Sequence, residues 1–446
     1  MSHVISRRSL RSSLAVAAAL SAAGSLAPPA RAQVAEPGFA SSSISIAPGG
    51  AFVGGLELLP NGDLLVFDGS NIVELALGDG SLVRTVWTLG TSLFGVFIRL
   101  EPNGLYLLFG ESSSGHIWEI ELASGLGQIV ALAYLPYDLA FDGQGRSFVS
   151  YATSLFSGSH VALLDLASGA LDDVFDSPDP SGPIAFDAAG NLYTATTDVS
   201  SWPPPPGAAT LYRLAAADVD GAIGPTVLTP ADGAILGTLD GASFLVLDEA
   251  EDVIVTDPNG GRVVQITPAT GAKLDLAVAD SGSYLTYASF VRGTRGAFEP
   301  WQPEEAGALL VSETDFFSTN LLARVTPSRP QIATSPATPV PLGPFTLDAT
   351  GAVPNGFGLM LFAPAGVASQ ELPLHNRSWP APLWFGLDLT GGVVIFPLSF
   401  DATGAFHFGA SNPGFGDVTI GLQLVVGASA AGPFYGTSAP FALELD

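Results

Sequence analysis

The stretch HIWEIELASG (residues 116–125) is repeated as HVALLDLASG (residues 160–169), in the same register and 44 positions later. Each copy starts with a polar residue, continues with apolar residues in loose alternation and ends at a turn closed by glycine. NIVELALGDG (71–80) and RVVQITPATG (262–271) share this pattern. Alternation over five or six residues predicts a β-strand, and the glycine-containing turn ends it.

A second repeated unit precedes these copies and has the form strand, four-residue turn, strand. Its copies are LLPNGDLLVFD (58–68), LEPNGLYLLFG (100–110), FDGQGRSFVSY (141–151), FDAAGNLYTAT (186–196) and LDEAEDVIVTD (247–257). The turns end at Gly62, Gly104, Gly145, Gly190 and Glu251, and a sixth, poorer copy ends its turn at Gly307. Units of four strands that recur every 40–45 residues or so are typical of a β-propeller. The sequence therefore predicts an all-β fold that begins with a six-bladed β-propeller.

The order of the units also predicts where the folded parts lie. We expect the propeller to span residues 33–327, with SSSISIAPGG (41–50) closing the ring because this strand has no hairpin partner of its own. Prolines predict that residues 328–340 are an unpaired linker. The short strands of residues 341–446 lack the earlier period and predict a small β-sandwich.

The N-terminal residues 1–32 have the features of an export signal peptide: a basic start, an Ala/Leu-rich stretch and an Ala-Arg-Ala ending. SRRSLR (residues 6–11) resembles the twin-arginine signal that exports folded proteins, and an ordinary secretory signal is the alternative. We therefore expect a periplasmic, cell-surface or extracellular protein. After removal of residues 1–32, 11 basic and 42 acidic residues remain. This negative charge disfavours nucleic acids and anionic lipids as partners, and no apolar run predicts a membrane span.

Both parts of the chain resemble known protein groups. The first part resembles the NHL-repeat and gluconolactonase-like propellers through PYDLAFDGQGR (136–146), FDAAGNLYTAT (186–196) and RVVQITPATG (262–271). The second part resembles the small β-sandwich tails of secreted bacterial proteins through PLGPFTLDATGAVPNGFGLMLF (341–362) and VTIGLQLVV (418–426). The second resemblance implies a non-catalytic attachment or spacer module.

The first resemblance implies a lactonase-like enzyme with a divalent metal on the central axis, held by a Glu of the first inner strand and by Asn and Asp residues of later inner strands. In this sequence the first inner strand begins Gly54-Gly55-Leu56, followed by Glu57. Only Asp138 is placed where a carboxylate could point inward. Because one carboxylate does not make a metal site, a hydrolase or lyase with an axial metal is the alternative function rather than the favoured one.

Other polar groups are interpreted as structural. His116 and His160 begin equivalent strands, and we interpret them as strand-start residues rather than catalytic groups. Four aspartates crowd residues 172–179, which we interpret as a hydrated acidic turn, with a surface calcium site as the alternative. We therefore predict no catalytic residue, no metal ligand and no cofactor.

The favoured function is that of a non-catalytic binding or interaction module. DVSSWPPPPGAAT (198–210) places Trp202 beside four prolines, which would hold its ring in place before binding. We predict a ligand-binding surface of Tyr137, Asp138 and Trp202 on the face whose loops enter the inner strands. A carbohydrate or a peptide at the cell surface would suit this mixture of aromatic rings and one carboxylate.

Overall fold

A computed structural model of the chain shows the arrangement of these units. It describes residues 34–35, 39–45, 55–89, 95–154, 157–180, 182–201, 204–248, 251–279, 284–290, 309–314, 320–327, 330–335, 339, 343–374, 383–412, 418–427 and 434–445. Nearly all of the regular structure in these residues is β-strand, which confirms the all-β class. No helix among them combines the length and the apolar character needed to cross a membrane.

Two strands, the two-residue β1 (Val34–Ala35) and the seven-residue β2 (Phe39–Ser45), precede six antiparallel sheets. Blade one contains β3 (Leu56–Leu58), β4 (Leu64–Phe67), β5 (Asn71–Leu75) and β6 (Leu82–Thr88). Blade two contains β7 (Gly95–Leu100), β8 (Tyr106–Glu111), β9 (His116–Glu121) and β10 (Gly127–Leu132). Blade three contains β11 (Pro136–Phe141), β12 (Ser147–Ala152), β13 (Ser159–Asp165) and β14 (Ala170–Ser177).

The later blades have the same order. Blade four contains β15 (Ile184–Phe186), β16 (Leu192–Thr197), β17 (Ala209–Leu214) and β18 (Ala234–Leu239). Blade five contains β19 (Phe244–Leu247), β20 (Val253–Asp257), β21 (Arg262–Thr267) and β22 (Ala272–Val278), with β1 added beside β22. Blade six contains β23 (Tyr284–Phe290), β24 (Leu309–Thr314) and β25 (Asn320–Pro327), and β2 is its fourth strand.

The six sheets form a ring around one axis, as in a β-propeller. Their first strands contact one another in the order β3, β7, β11, β15, β19 and β23, and β23 in turn contacts β3. The ring is closed by β2, which pairs antiparallel with β25 from Phe39 opposite Pro327 to Ser45 opposite Leu321. The expected closure by an N-terminal strand is therefore confirmed, and it removes two exposed sheet edges.

The turns between the first two strands of each blade require a left-handed backbone. The residues that close these turns have positive φ angles: Gly62 (89°), Gly104 (70°), Gly145 (78°), Gly190 (85°) and Glu251 (66°). The register that aligns Glu251 with four glycines is therefore confirmed. A side chain in this conformation costs about 1–2 kcal/mol. Gly307, the sixth residue of this set, lies outside the described residues.

The glycine that ends the opening repeat is fixed by two constraints. Gly125 and Gly169 have φ angles of 70° and 71°, so both are left-handed. A Cβ atom on Gly125 would lie 2.3 Å from the carbonyl oxygen of Val86, and one on Gly169 would lie 2.4 Å from that of Val130. Val86 and Val130 belong to the last strand of the preceding blade. Each repeat therefore ends in glycine where one blade touches the blade before it.

Neighbouring blades pack face to face through apolar side chains. Blades one and two share a buried cluster in which the rings of Phe67 and Phe109 are 4.8 Å apart, centroid to centroid. Further clusters join blade two to blade three, blade three to blade four and blade four to blade five, and one cluster joins blades five, six and one. This packing holds both the inner and the outer strands in fixed positions.

One segment differs from the sequence interpretation. The four aspartates of residues 172–179 do not form a turn as a group, because β14 extends through Ser177 and includes three of them. Helix α1 (Ala216–Ala222) lies between β17 and β18 and buries Val219 and Ala222 against blades three and four. Short 3-10 helices lie at Pro230–Asp232 and Leu389–Gly391.

The C-terminal part contains two sheets that share a core. The first sheet has the order β26 (Gln331–Ser335), β27 (Pro344–Thr350) and β32 (Phe406–Ser411). The second contains β28 (Phe357–Ala363), β31 (Val394–Ser399), β33 (Val418–Gly427), β34 (Phe434–Thr437) and β35 (Phe441–Leu445). β29 (Val367–Leu374) and β30 (Leu383–Leu387) form a hairpin. Buried side chains of both sheets form one cluster, the two-layer packing that the sequence predicts for a sandwich.

One strand lies inside the predicted linker. β26 occupies residues 331–335 and pairs with β27 in antiparallel register. Pairing is possible here because these five residues contain no proline, although Pro330 and Pro336 flank them. The prolines therefore bound a strand instead of preventing one.

Candidate functional site

The carboxylate of Asp138 belongs to β11, the inner strand of blade three, and is buried. Its Oδ1 accepts hydrogen bonds from Arg99 Nη2 at 2.5 Å and from the Leu139 N–H at 2.8 Å. Its Oδ2 accepts one from the Ile184 N–H at 3.1 Å. Burial raises the pKa of the Asp138 carboxyl above its ordinary value, and Arg99 together with the two N–H groups opposes this rise. Asp138 is therefore buried and bound by groups from blades two, three and four.

Arg99 provides the positive charge beside this carboxylate. It lies on β7, donates from Nε to the Leu139 carbonyl oxygen at 2.8 Å, and stacks over the Phe244 ring of blade five at 4.7 Å. A guanidinium placed in this way links inner strands of three blades. The Arg99 side chain is only 14% exposed, so its charge is largely withdrawn from solvent beside the Asp138 carboxylate.

The axial metal implied by the family resemblance does not fit these residues. The Asp138 carboxylate already accepts three hydrogen bonds, one of them from a permanent cation. Glu57 accepts from the Leu58 N–H at 3.0 Å and from the Leu100 N–H at 3.3 Å. A hard divalent cation needs several free oxygen ligands that converge on one point. The described inner strands do not present such a set.

The structure separates the three residues predicted to bind a ligand. Tyr137 is directed towards blade five, where its hydroxyl donates to the Ser243 carbonyl oxygen at 3.0 Å, and burial raises its pKa. Tyr137 and Asp138 therefore connect blades from inside, whereas the sequence predicts that they form a contact surface. Their role in ligand binding stays a prediction. Trp202 lies outside the described residues.

A β-bulge recurs in the last strand of blades one to five. In each of these strands an extra residue has no partner on the neighbouring strand. The extra residues at the shared position are Val86, Val130, Val174, Leu236 and Leu276, and blade one has a second extra residue, Val83. The extra residue shifts the alternation of side chains along the strand. As a result, the residue just before the extra one and the residue two positions after the extra one lie on the same face of the sheet. The chemistry at these two positions differs between blades, and it defines two candidate sites.

In blade two the bulge produces an apolar outer edge. Ile129 pairs with Trp118 and Leu132 pairs with His116, so all four share a face. Ile129 and Leu132 are 47% and 64% exposed, and Leu126 and Tyr134 beside them are 74% and 58% exposed. We call residues 126–134 the blade-two edge. It carries no charged residue.

In blade three the same positions carry metal-ligating side chains. Asp176 pairs with His160 across β13 and β14, and Asp173 pairs with Ala162, so both carboxylates lie on the His160 face. His160 Nδ1 forms a hydrogen bond with Asp176 Oδ1 and lies 3.6 Å from Asp173 Oδ2. Tyr151, which stacks on the His160 ring, donates its hydroxyl to Asp173 Oδ1 at 2.7 Å. We call His160, Asp173, Asp176 and Tyr151 the blade-three cluster.

The sequence did not indicate the blade-two edge or Arg99, and it suggested a metal site among the aspartates of residues 172–179 only as an alternative, without His160. The extra residues Val86, Val130 and Val174 are each 44 positions apart, the same spacing as the opening repeat, and this spacing was a usable signal. Without the strand pairing, however, the bulge is not visible, and residues 173 and 176 read as lying on opposite faces. Arg99 and Asp138 are 39 residues apart, and their contact depends on the curvature of the ring.

Comparison with known proteins returns distant structural similarities. A gluconolactonase from Xanthomonas campestris has a TM-score of 0.47 at 13% identity, covering 67% of this chain and 99% of that chain. A luciferin-regenerating enzyme has a TM-score of 0.47 at 12% identity, covering 64% and 95%. Virginiamycin B lyase from Staphylococcus aureus has a TM-score of 0.41 at 11% identity, covering 65% and 99%. No family model and no curated protein matches the sequence. Similarity at this level assigns no activity to this chain.

Proposed function

We propose that this protein is an exported, non-catalytic binding module, and that the blade-two edge binds an extended peptide segment of a partner protein. The observation that carries the proposal is a group of large exposed apolar side chains at the blade-two edge: Ile129 and Leu132 lie on β10, the last strand of its sheet, and Leu126 and Tyr134 lie beside its two ends. An edge strand offers unpaired backbone N–H and C=O groups to an incoming strand, and its side chains select the partner.

Comparison with other blades supports the choice of this edge. The outer edge of blade five is covered by β1, which pairs with β22. The outer edge of blade three is bridged by Leu228, whose N–H donates to the Val174 carbonyl and whose carbonyl accepts from the Asp176 N–H. Within the described residues, no strand pairs with the outer side of β10. A single apolar residue in solvent is ordinary, but several large ones grouped along an edge strand that no other strand covers mark an interaction surface.

The surrounding charge indicates the chemistry of the partner. Glu119 and Glu121 lie on β9, the strand next to the edge, and the full chain has a formal net charge of −27. An acidic surface repels anionic polymers and attracts basic groups. The segment best suited to this edge has apolar side chains at alternate positions and basic residues beside them.

The axial geometry argues against the alternative of a hydrolase or lyase. An axial metal would need free carboxylates, whereas Asp138 is held by Arg99 and two backbone N–H groups. The inner strands are thereby joined by a buried ion pair. In this interpretation the centre of the ring serves as a rigid support for the outer edges.

Peptide binding can be tested with a matched pair of variants. Peptides selected from a random display library against the wild-type protein should bind Ile129→Asp at least about tenfold more weakly, because a buried carboxylate would replace an apolar contact. Ile235→Asp is the control, because Ile235 occupies the equivalent position of blade four and is also exposed, at 66%. Equal affinity for both variants, or self-association of the wild type through β10 in place of peptide binding, would contradict the proposal.

Export can be tested separately. Arg7→Lys with Arg8→Lys should abolish secretion through the twin-arginine route, since lysine does not reproduce the shape and donor geometry of guanidinium groups. Normal secretion of this double variant would assign the signal to the ordinary secretory route. The binding assay uses purified protein, so its result does not depend on this one.

A further inference from the structure

We infer that the blade-three cluster is a binding site for a first-row divalent transition-metal ion of the zinc type, held by His160, Asp173 and Asp176. The site lies on the outer strands of blade three, away from the axis. It is independent of the proposed peptide-binding edge. Its function would be to hold the metal at the blade surface, with water completing the coordination.

The donor atoms have the spacing that such an ion needs. One nitrogen and two carboxylate oxygens, one from each residue, all lie within 4.8 Å of one another. Two ligands bound at about 2.1 Å to a tetrahedral ion are about 3.4 Å apart. His160 Nδ1 and Asp173 Oδ2 are already 3.6 Å apart. The hydrogen bond between His160 and Asp176 would open when the metal displaces its proton.

The site is open to solvent yet held in place. The side chains of His160, Asp173 and Asp176 are 18%, 34% and 47% exposed, so an ion can enter directly. The Tyr151 hydroxyl donates a hydrogen bond to Asp173 Oδ1, so that Asp173 Oδ2 is the carboxylate oxygen that faces His160. Tyr151 is thus a positioning residue. Such outer contacts fix ligand orientation in protein metal sites.

Blade five shows that this location favours a positive charge. Arg262 occupies the position of His160, Asp275 that of Asp173, and Asp257 that of Tyr151. The Arg262 guanidinium lies 3.3 Å from Asp257 Oδ2 and 3.7 Å from Asp275 Oδ2. In blade three, no arginine or lysine among the described residues pairs with Asp173 or Asp176. The blade-three cluster therefore has the carboxylates without a permanent cation.

The donor set selects the class of metal. An imidazole nitrogen suits zinc, copper, iron and nickel, whereas calcium and magnesium prefer oxygen ligands alone. The two carboxylates add negative charge, and the site contains no thiolate, which is the ligand that softer metal ions prefer. Zinc is therefore the reference ion, and cobalt is a spectroscopic substitute for it.

The test is calorimetric titration of the metal-free full-length protein with Zn²⁺. Wild type should bind one equivalent that His160→Gln and Asp176→Asn each weaken by more than about tenfold, and Tyr151→Phe should weaken binding by about tenfold. Co²⁺ bound to wild type should show visible absorption bands that are lost in His160→Gln. Circular dichroism checks that each variant is folded.

Two controls separate a built site from general attraction of cations to an acidic protein. His116→Gln removes the equivalent histidine of blade two, which pairs with Leu132 and not with an aspartate. Asp172→Asn removes one negative charge from the neighbouring position of β14. Both should retain wild-type Zn²⁺ affinity. Absence of a saturable equivalent in wild type, or equal affinity in His160→Gln and His116→Gln, would overturn the inference.

Discussion

Gly169→Ala should destabilise the propeller far more than Gly145→Ala, although both glycines are left-handed. Gly169 has φ 71° and Gly145 has φ 78°, so an alanine costs about 1–2 kcal/mol at either position for backbone conformation alone. The two differ in what a Cβ atom would meet. At Gly145 nothing lies within 4 Å, whereas at Gly169 the Val130 carbonyl oxygen would be 2.4 Å away.

The Val130 carbonyl cannot move aside in the way a side chain can, because it is part of the backbone of β10, whose residues on both sides, Ile129 and Ala131, are paired with β9. Overpacking of this kind costs about 1–3 kcal/mol. Gly169→Ala should therefore lose about 2–5 kcal/mol in the free energy of unfolding and Gly145→Ala about 1–2 kcal/mol. Urea unfolding followed by circular dichroism measures both. Equal losses would refute the close contact between blades that explains the opening repeat.

Three further outcomes follow from the ring, its turns and its axis. Deletion of residues 33–47 should destabilise the propeller by several kcal/mol because it removes β2, and a melting temperature equal to that of wild type would show that the ring is closed differently. Glu251→Gly should raise the free energy of unfolding by about 1 kcal/mol in a urea titration, since it relieves a left-handed side chain; a loss would contradict the turn geometry. Arg99→Met should lower the free energy of unfolding by about 3–5 kcal/mol, because the buried Asp138 carboxylate loses its charged partner. The double variant Arg99→Met with Asp138→Asn should be more stable than Arg99→Met alone. If the second substitution instead destabilises the protein as much as it would in wild type, the two side chains do not form an ion pair.

Much of the propeller was predictable because its determinants are local. A left-handed turn residue and an alternating strand recur in each unit, so the register could be followed even where Glu251 replaces glycine. The strand that closes the ring was predictable because no adjacent segment of the sequence could form a hairpin with it. These features need no knowledge of how distant strands meet.

The sites were less predictable because they depend on strand pairing. Asp138 lies on the inner strand of its blade, as expected, but its partner Arg99 comes from the preceding blade. Asp173 and Asp176 share a face only because Val174 is bulged out of the pairing. Likewise, β26 forms because β27 is available as its pairing partner. The prolines on both sides of β26 make this strand difficult to recognise in the sequence.

The most direct test of the proposed function is hydrogen–deuterium exchange of the full-length protein with and without a selected peptide. If the peptide adds a strand to the blade-two edge, the outward amides of β10 (Gly127–Leu132) should gain protection, and the outer strands β18 and β22 should not change. Protection confined to the inner strands around Asp138, with none on β10, would contradict the account and place binding on the axis.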